Sequence, residues 1–410
     1  MPVWTIPLAY TVTSMAMAQI VPRLERAFLW DLQTGLALDS ALTALAAVAS
    51  GMMALTGIVF SIAFVMVQFS AISYSPRLAT RFARDPLLYH ALGIFFATFT
   101  YSLAAIVWSG RDGTGHVPVL SVAIAGALLA ASMCVVALLV QRLRDLQIGQ
   151  TLRFVGNNGR AVIAQTFAAR PEHTRGVLPA GPPEPEKQLL RFAGAPIYVM
   201  HFDTAALVAL ARRARATIIA DCAVGDMLMD GTVMLRVHGG AEIPEAELRR
   251  AIHLGPERTF LQDPKFPIRL LVDIAIKALS PAINDPTTAV QALDEIEDLL
   301  RRLAVQDLDI GRITDGDGAL RLVLPTPGWQ DYLSLAFDEI RMFGMTSIQV
   351  MRRLRVALLR LAELLEGQDR AAEVLRYLQH IDAAIERSAL DEHDRASARQ
   401  EDPQGLGLAR

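Results

Sequence analysis

The sequence predicts a membrane α-helical bundle of about four spans, followed by a cytoplasmic α+β domain with a hammerhead-like β part and a helical C-terminal part. Three observations lead to this fold class. The 410 residues are 52% hydrophobic, and their mean hydropathy of +0.33 is high for a soluble protein. Long uncharged apolar runs are confined to residues 1–141. Beyond them, turn-rich strand-like segments give way to segments with helical spacing of apolar residues.

Four apolar runs predict the transmembrane domain, residues 1–141. Each is about as long as a helix must be to cross hydrocarbon, and none contains Asp, Glu, Lys or Arg. The first run can also be read as a signal peptide, but its length, the lack of a preceding basic residue and the three later runs favour a retained span. The predicted spans cover residues 3–21, 41–69, 87–108 and 117–140.

Arginines predict the orientation, because positive residues stay on the cytoplasmic side of a membrane. They are concentrated between the second and third runs and after the fourth run. Both termini, and everything after about residue 141, are therefore expected in the cytoplasm. These arginines are Arg77, Arg81 and Arg84, then Arg142, Arg144, Arg153 and Arg160.

The second span carries a polar face near its inner end. Ser61, Gln68 and Ser70 are candidate pore-lining residues, and Gly57 to Ser61 is a small-xxx-small step that allows close helix packing. The same residues are compatible with simple helix packing or with a water-lined path. Because no span contains an acidic residue, lysine or arginine, a proton relay or a transporter of charged substrates has little support.

Residues 142–265 predict a mostly β region with a helix at about 204–214. The GNNGR stretch, 156–160, has the Asn-Gly signal of a β-hairpin. Val224-Gly225-Asp226, followed by Gly231 and VMLRV, is similar to the hammerhead of biotinyl- and lipoyl-type domains. No lysine stands at the tip of that hairpin, so we expect the shape without the cofactor.

The spacing of apolar residues over 266–390 predicts a mainly helical region, including helices over 329–343, 345–366 and 369–388. The polar tail 391–410 is expected to be disordered. Arg269 and Asp273 are four residues apart and can pair on one helix. In SPAINDP, 280–286, both Ser280-Pro281 and Asp285-Pro286 have the pattern of a helix start. Asn284 and Asp285 can belong to a helix corner or contact a ligand or partner.

The remaining polar clusters predict structure rather than catalysis. The DGDG stretch, 315–318, is expected to be a turn between strands, and the acidic residues 294–298 are expected to form i,i+4 pairs with the following arginines. His201, His238 and His253 could meet in space, but scattered histidines are seldom zinc ligands. Without a nucleophile, metal or nucleotide motif, we expect no catalytic residues, no metal and no cofactor. The net charge of −3 argues against nucleic acid as a partner.

Several segments together resemble the domain of unknown function 2254 family of bacterial membrane proteins. They include TGIVFSIAFVMVQF, VGDMLMDGTVML, DYLSLAFDEIR and the block QDPKFPIRLLVDIAIKALSPAINDPTTAVQALD, in which Pro267 stands where the family pattern leads us to expect glycine. The resemblance implies a multi-pass protein of the bacterial inner membrane with a cytosolic domain. It implies no activity and no site residues.

Two functions follow as hypotheses. The first is a homo-oligomeric channel or conductance regulator in the lipid bilayer, with a cytoplasmic gating domain. The second is a membrane-anchored sensory or interaction module without transport activity. In that case a cytosolic partner or small ligand is expected near Arg269, Asp273, Asn284 and Asp285.

Overall fold

A computed structural model describes residues 4–28, 37–73, 86–111, 119–144, 148–168, 185–388 and 390–402. The chain divides into two compact units, residues 1–148 and 149–410. We refer to them as the helical unit and the mixed unit.

The helical unit contains four long helices that alternate in direction. The first helix runs parallel to the third, since Tyr10 lies against His90 and Arg23 over Trp108. Two apolar layers show the alternation of the other three. One layer contains Ala18, Leu45, Tyr101 and Ala125, and the other contains side chains from later on the second helix, earlier on the third and later on the fourth. The helices are α1 Thr5–Phe28, α2 Leu38–Ser73, α3 Pro86–Arg111 and α4 Val119–Arg144.

Three helices in the described part of the chain are long and apolar enough to cross a membrane: Leu38–Ile62 in α2, Pro86–Trp108 in α3 and Val119–Gln141 in α4. α1 is not among them, so four spans are not confirmed. α1 nevertheless packs against α3, where the Ser14 and Thr100 hydroxyls lie 2.6 Å apart. The Glu25 carboxylate, 2% exposed, accepts the Leu120 N–H at the start of α4 (2.8 Å).

The mixed unit contains two sheets and a helical C-terminal region. A five-stranded sheet has the order β1-β5-β3-β8-β7, and a three-stranded sheet has the order β4-β2-β6. The core that the two sheets share is mostly aliphatic, with Leu190, Ile218 and Leu235 fully buried. The hammerhead likeness of this region is not confirmed and stays a prediction. The elements are α5 Ile148–Thr166, β1 Glu186–Arg191, β2 Ile197–Phe202, α6 Thr204–Ala214, β3 Thr217–Ala220, β4 Met227–Leu228, β5 Val233–His238, α7 Glu245–Arg250, β6 Ile252–Gly255, α8 Lys265–Ala278, α9 Pro286–Ala304, β7 Arg312–Thr314, β8 Leu320–Val323, α10 Trp329–Gly344, α11 Ile348–Leu364, α12 Asp369–Arg387 and α13 Glu392–Arg399.

The GNNGR hairpin prediction is wrong, because these residues lie inside helix α5. A side-chain carbon on Gly156 would come within 1.9 Å of Glu295, and one on Gly159 within 2.7 Å of Leu299. The two glycines therefore let α5 approach α9 closely, and that packing overrides the local turn preference. Arg160 supports the contact by donating to Glu295 (2.9 Å) and to a second carboxylate of α9.

The expected disorder of residues 391–410 is contradicted for its first part, where α13 forms. Ala398 is fully buried, and the carbonyl of Ser397 accepts a hydrogen bond from Arg352. Tertiary packing thus orders a short helix whose own sequence is polar. Residues 403–410 lie outside the described part.

The SPAINDP corner contains one helix start, not two. Ser280-Pro281 forms a turn closed by the Ile283 N–H to the Ser280 carbonyl (3.0 Å). Asp285 caps α9, since its Oδ1 accepts the Thr288 N–H (3.1 Å), and the following proline is the first helical residue. Asn284 occupies the left-handed region (φ 49°) between the turn and the cap.

Three arginines of α11, Arg353, Arg355 and Arg360, pair with carboxylates on neighbouring helices. Arg353 and Glu297 are almost fully buried, at 4% and 6% side-chain exposure, and lie 2.5 Å apart. Asp294 also pairs with Arg353 (2.7 Å). The acidic cluster of α9 is therefore not limited to i,i+4 pairs, because its strongest contacts cross to α5 and α11.

Other expectations are confirmed. The DGDG stretch is a turn, in which Asp315 accepts the Asp317 and Ala319 N–H groups and joins two antiparallel strands. Arg269 and Asp273 pair on α8, and the three helices after residue 328 are present. Pro267 lies in the first turn of α8, where proline is tolerated.

Candidate functional site

The mixed unit encloses a cavity of about 370 Å³, which is the candidate functional site. It lies where the end of α5, the end of β2 and the starts of α6, α8 and α10 meet. Aromatic and aliphatic side chains and prolines form most of the wall, and a few polar groups converge on it. The lining residues are Gln165, Thr166, Phe167, Ala168, His201, Phe202, Thr204, Ala223, Val224, Leu261, Gln262, Asp263, Pro264, Lys265, Leu308, Ile310, Gly311, Leu324, Pro325, Thr326, Pro327 and Tyr332.

Gln262 fastens the cavity wall to the sheet. Its side-chain oxygen accepts the Phe202 N–H and its amide nitrogen donates to the Phe202 carbonyl, both at 3.1 Å. The side chain thus takes the place of a neighbouring strand at the end of β2. Gln262 adopts a left-handed backbone (φ 52°), which is uncommon for a residue other than glycine. We infer that the two hydrogen bonds hold the segment before α8 in this conformation.

Asp263 is a buried carboxylate in the wall, with 1% of the residue exposed. Its Oδ1 accepts the Lys265 N–H (3.1 Å), and its Oδ2 lies 3.4 Å from the Arg258 Nη2. Among the described residues, neither Asp263 Oδ2 nor Arg258 Nε has a hydrogen-bond partner. Burial raises the pKa of Asp263 above its ordinary value, and the positive charges of Arg258 and Lys265 oppose that change.

Gly225 covers this ion pair. Its φ of +89° favours glycine, and a side-chain carbon there would lie 2.2 Å from Arg258 and 2.5 Å from Asp263. The Val224-Gly225-Asp226 turn is therefore pressed onto the pair. Two sequence features, the VGD turn and the QDPKF block, meet at one wall of the cavity.

Two ring-bearing residues complete the polar part of the site. Burial lowers the pKa of His201, and the nearby His253 lowers it further, while Asp203 acts in the opposite direction. Tyr332 is 1% exposed, and burial raises the pKa of its hydroxyl. At neutral pH the site therefore presents an uncharged imidazole and an uncharged phenol beside the Asp263–Arg258 pair.

The four residues expected to contact a ligand or partner do not line this cavity. Arg269 lies between Asp273 and Glu339, and both of its terminal nitrogens donate to Glu339 at 2.7 Å. These hydrogen bonds hold the pKa of Glu339 below its ordinary value. Asn284 is exposed and Asp285 is half-buried at the corner before α9.

The three candidate pore residues all belong to α2. The Ser61 side chain is exposed, and its hydroxyl donates to the Gly57 carbonyl of the same helix (3.0 Å). Gln68 is exposed as well. Ser70 is helical, but its side chain lies outside the description. The two cysteines are free, with Cys134 exposed and Cys222 buried.

Sequence reasoning missed the cavity-lining Gln262 and Asp263, although both belong to the QDPKF block that carries the family resemblance. It missed Arg258 because nothing in its local sequence marks a buried ion pair. The sequence left open whether the three histidines meet in space. The structure brings His201 and His253 together, whereas His238 lies on β5 in the other sheet.

Comparison with known proteins decides the family. Residues 2–360 match a family described as "Predicted membrane protein (DUF2254)". The chain belongs to this family. Similar proteins include two uncharacterized proteins, one from Mycobacterium bovis and one from Mycobacterium tuberculosis. Each is 31% identical over 366 residues, which cover 85% of this chain and 69% of the relative. No solved structure matches the chain. The DUF2254 protein is therefore a membrane protein whose mixed unit carries the cavity.

Proposed function

We propose that this DUF2254 protein is a membrane-anchored module that binds a small cytosolic organic molecule in the cavity of its mixed unit. The observation that carries the proposal is the cavity itself. About 370 Å³ lies within the range of small-molecule sites, which combine apolar walls with a few fixed polar groups.

The polar groups of the cavity indicate what such a molecule needs. Asp263 places a carboxylate in the wall, and a hydrogen-bond donor on the molecule would complement its charge. Phe167, Phe202 and Leu308 offer contact to an apolar body. The side chains of Gln262 and Asp263 are already held by backbone hydrogen bonds, so binding requires little ordering of the site.

The test is to fill the cavity. Ala223 lines it, and Ala223→Phe would occupy part of its volume. Ala282→Phe is the matched control, because Ala282 is exposed on the corner before α9. Full-length protein in detergent would be screened by thermal shift against a library of cytosolic metabolites. Native mass spectrometry would identify any molecule that stays bound.

We expect wild type and Ala282→Phe to bind the same molecule, and Ala223→Phe to lose at least tenfold in affinity. Equal binding by both variants would place the molecule elsewhere. If no molecule in the library raises the melting temperature at concentrations up to the millimolar range, the proposal that the cavity binds a small molecule would be refuted.

A second candidate is the homo-oligomeric channel, which α2 supports. Positions three and four residues apart along this helix form one exposed stripe of small or hydroxylated side chains: Ser40, Thr43, Ala47, Ser50, Ala54, Gly57 and Ser61. A side-chain carbon on Gly57 would meet nothing within 4 Å. Copies of α2 arranged around an axis with this stripe inward would line a pore with small and hydroxyl-bearing side chains, with Gln68 at its end.

Thiol accessibility tests the channel. Single cysteines at positions 61 and 68, in a background with Cys134→Ala and Cys222→Ala, would be exposed to a membrane-impermeant thiol reagent. Phe60→Cys is the control, since it is also exposed on α2 but lies about 100° around the helix axis from Ser61. Labelling at 61 and 68 but not at 60 is expected for a water-lined stripe. Equal protection of all three would argue against a pore.

The inner-membrane location and the orientation of the termini are further proposals. The alternating helix directions are compatible with α1 as a fourth span, with both ends of the helical unit on one side. Its apolar side chains Leu8, Val12 and Met15 are exposed, as contact with lipid requires. A reporter that is active only outside the cytoplasm, fused near residue 145, should be inactive. An active fusion would reverse the orientation.

A further inference from the structure

His201 and His253 face each other across two strands. They are direct partners in the antiparallel pairing of β2 with β6, so their side chains emerge on the same face of the sheet. The ring centroids are 5.2 Å apart and the ring planes make an angle of 61°. His201 is half-buried and lines the cavity, while His253 is exposed. Neither ring is enclosed by the core.

This separation is compatible with a shared metal ion. A Zn–N bond of about 2.1 Å places the ion about 3.2 Å from the centre of each imidazole ring, and at a tetrahedral angle two such ring centres are about 5.2 Å apart. The observed 5.2 Å agrees with that distance. Both imidazoles can therefore approach one ion without a change of strand register.

The surroundings suit a cation. Metal ions bind the neutral imidazole, and both rings lie outside the closed core, where an ion can reach them. Asp203 follows His201 by two residues, and it is fixed in place because its Oδ1 accepts the Ala206 N–H (2.9 Å). A fixed carboxylate beside the pair adds negative potential without being displaced from its own hydrogen bond.

We propose that His201 and His253 form a two-histidine site for a divalent transition-metal ion at the edge of the cavity. Imidazole nitrogen prefers Zn²⁺, Cu²⁺ or Ni²⁺ to Mg²⁺ or Ca²⁺. Within the described residues, no group of three or more His, Cys, Asp or Glu side chains could hold a metal ion. The remaining coordination positions are therefore left to water or to a donor atom of a molecule in the cavity. The proposal does not depend on that molecule.

The test uses untagged full-length protein in detergent, stripped of metal with a chelator and then titrated with Cu²⁺ or Zn²⁺. His253→Gln is the main variant, because His253 is exposed and its loss leaves the core intact. His201→Gln is the second variant. His393→Gln, an exposed histidine on α13, is the control. Electron paramagnetic resonance of bound Cu²⁺ counts the coordinating nitrogens, and calorimetry gives the affinity for Zn²⁺.

We expect one tight Zn²⁺ site per chain, two imidazole nitrogens on Cu²⁺, and at least a tenfold weaker affinity in either site variant. The control variant should bind as wild type does, and Mg²⁺ should not compete. Unchanged affinity in His253→Gln, or a Cu²⁺ spectrum with a single nitrogen, would overturn the proposal. Thermal unfolding in the presence of chelator checks that each variant is folded.

Discussion

Removing Arg258 should expose the energetic cost of the buried carboxylate in the cavity wall. Asp263 is 1% exposed, and Arg258 is its ion-pair partner at 3.4 Å. In Arg258→Met the methionine can retain the contact with the Phe266 ring, over which the guanidinium now lies at 5.9 Å. The variant therefore removes the charge and keeps much of the packing.

The size of the effect follows from what remains around Asp263. Breaking a buried ion pair on one side costs about 3 to 5 kcal/mol. Asp263 would still accept the Lys265 N–H, so we expect a loss near the lower limit, about 3 kcal/mol at pH 7. Arg258→Met with Asp263→Asn leaves no uncompensated charge and keeps an oxygen for that N–H. This double variant should lie within about 1 kcal/mol of wild type.

The pH dependence has a definite sign. Burial raises the pKa of Asp263 in the folded protein, so the folded state binds its proton more readily than the unfolded state does. The stability that this proton contributes is fully present below the pKa of Asp263 in the unfolded protein. It is lost as pH rises through the pKa of Asp263 in the folded protein. Without Arg258 the folded pKa rises further, and lowering the pH from 7 to 5 should restore stability by at most about 1.4 kcal/mol per pH unit.

Urea unfolding followed by tryptophan fluorescence measures these changes. Trp329 is 5% exposed and is the one tryptophan of the mixed unit, so the other three would be changed to phenylalanine: Trp4, Trp30 and Trp108. A loss below about 1 kcal/mol at pH 7, or a loss that does not change with pH, would refute the reasoning. It would mean that water reaches Asp263 in the absence of Arg258.

Four further variants test the packing of the mixed unit by the same assay. Gly225→Ala should cost at least about 2 kcal/mol of stability, because strain at positive φ adds to a clash with the Asp263–Arg258 ion pair. Gly231→Ala is the control, since Gly231 also has a positive φ (+81°) but a side-chain carbon there would meet nothing within 4 Å. It should cost only about 1 kcal/mol. A similar loss in both would exclude the clash. The Arg321 hydrogen bond lowers the pKa of Asp315. Its stabilisation of about 1 to 3 kcal/mol should therefore be present above the unfolded pKa and be lost as pH falls through the folded pKa, and Asp315→Asn should lack this dependence. Arg353→Met should cost about 3 kcal/mol or more, since it leaves a buried carboxylate on α9, and a loss under 1 kcal/mol would show that other arginines compensate.

Much of the mixed unit's local structure was predictable because its signals are local. Arg269 and Asp273 pair through the four-residue spacing of a helix. The turn at Asp315 needs only the side chain's own reach to nearby N–H groups. α10, α11 and α12 follow from helical periodicity. In each case the interacting groups are a few residues apart, so the sequence order alone brings them together.

Prediction failed where distant packing outweighs a local preference. The GNNGR stretch has the local signal of a hairpin. It is nevertheless helical, because Gly156 and Gly159 let α9 approach α5 at that point. The polar segment from 392 to 399 is helical because it packs against α11 and α12, with which Ser397 and Arg399 form hydrogen bonds. Neither outcome is visible in a window of neighbouring residues.

The sequence by itself determined that this is a membrane protein of the DUF2254 family. Long apolar runs without charge leave water only in a membrane or in a protein core. The blocks that carry the family resemblance are contiguous stretches, so they can be recognised without the tertiary structure. Only the tertiary structure decided where a ligand site could be. The cavity draws its wall from segments between residues 165 and 332, and the His201–His253 pair joins residues 52 positions apart. Such sites depend on strand pairing and helix packing, which act across the chain and leave no periodic signal within it.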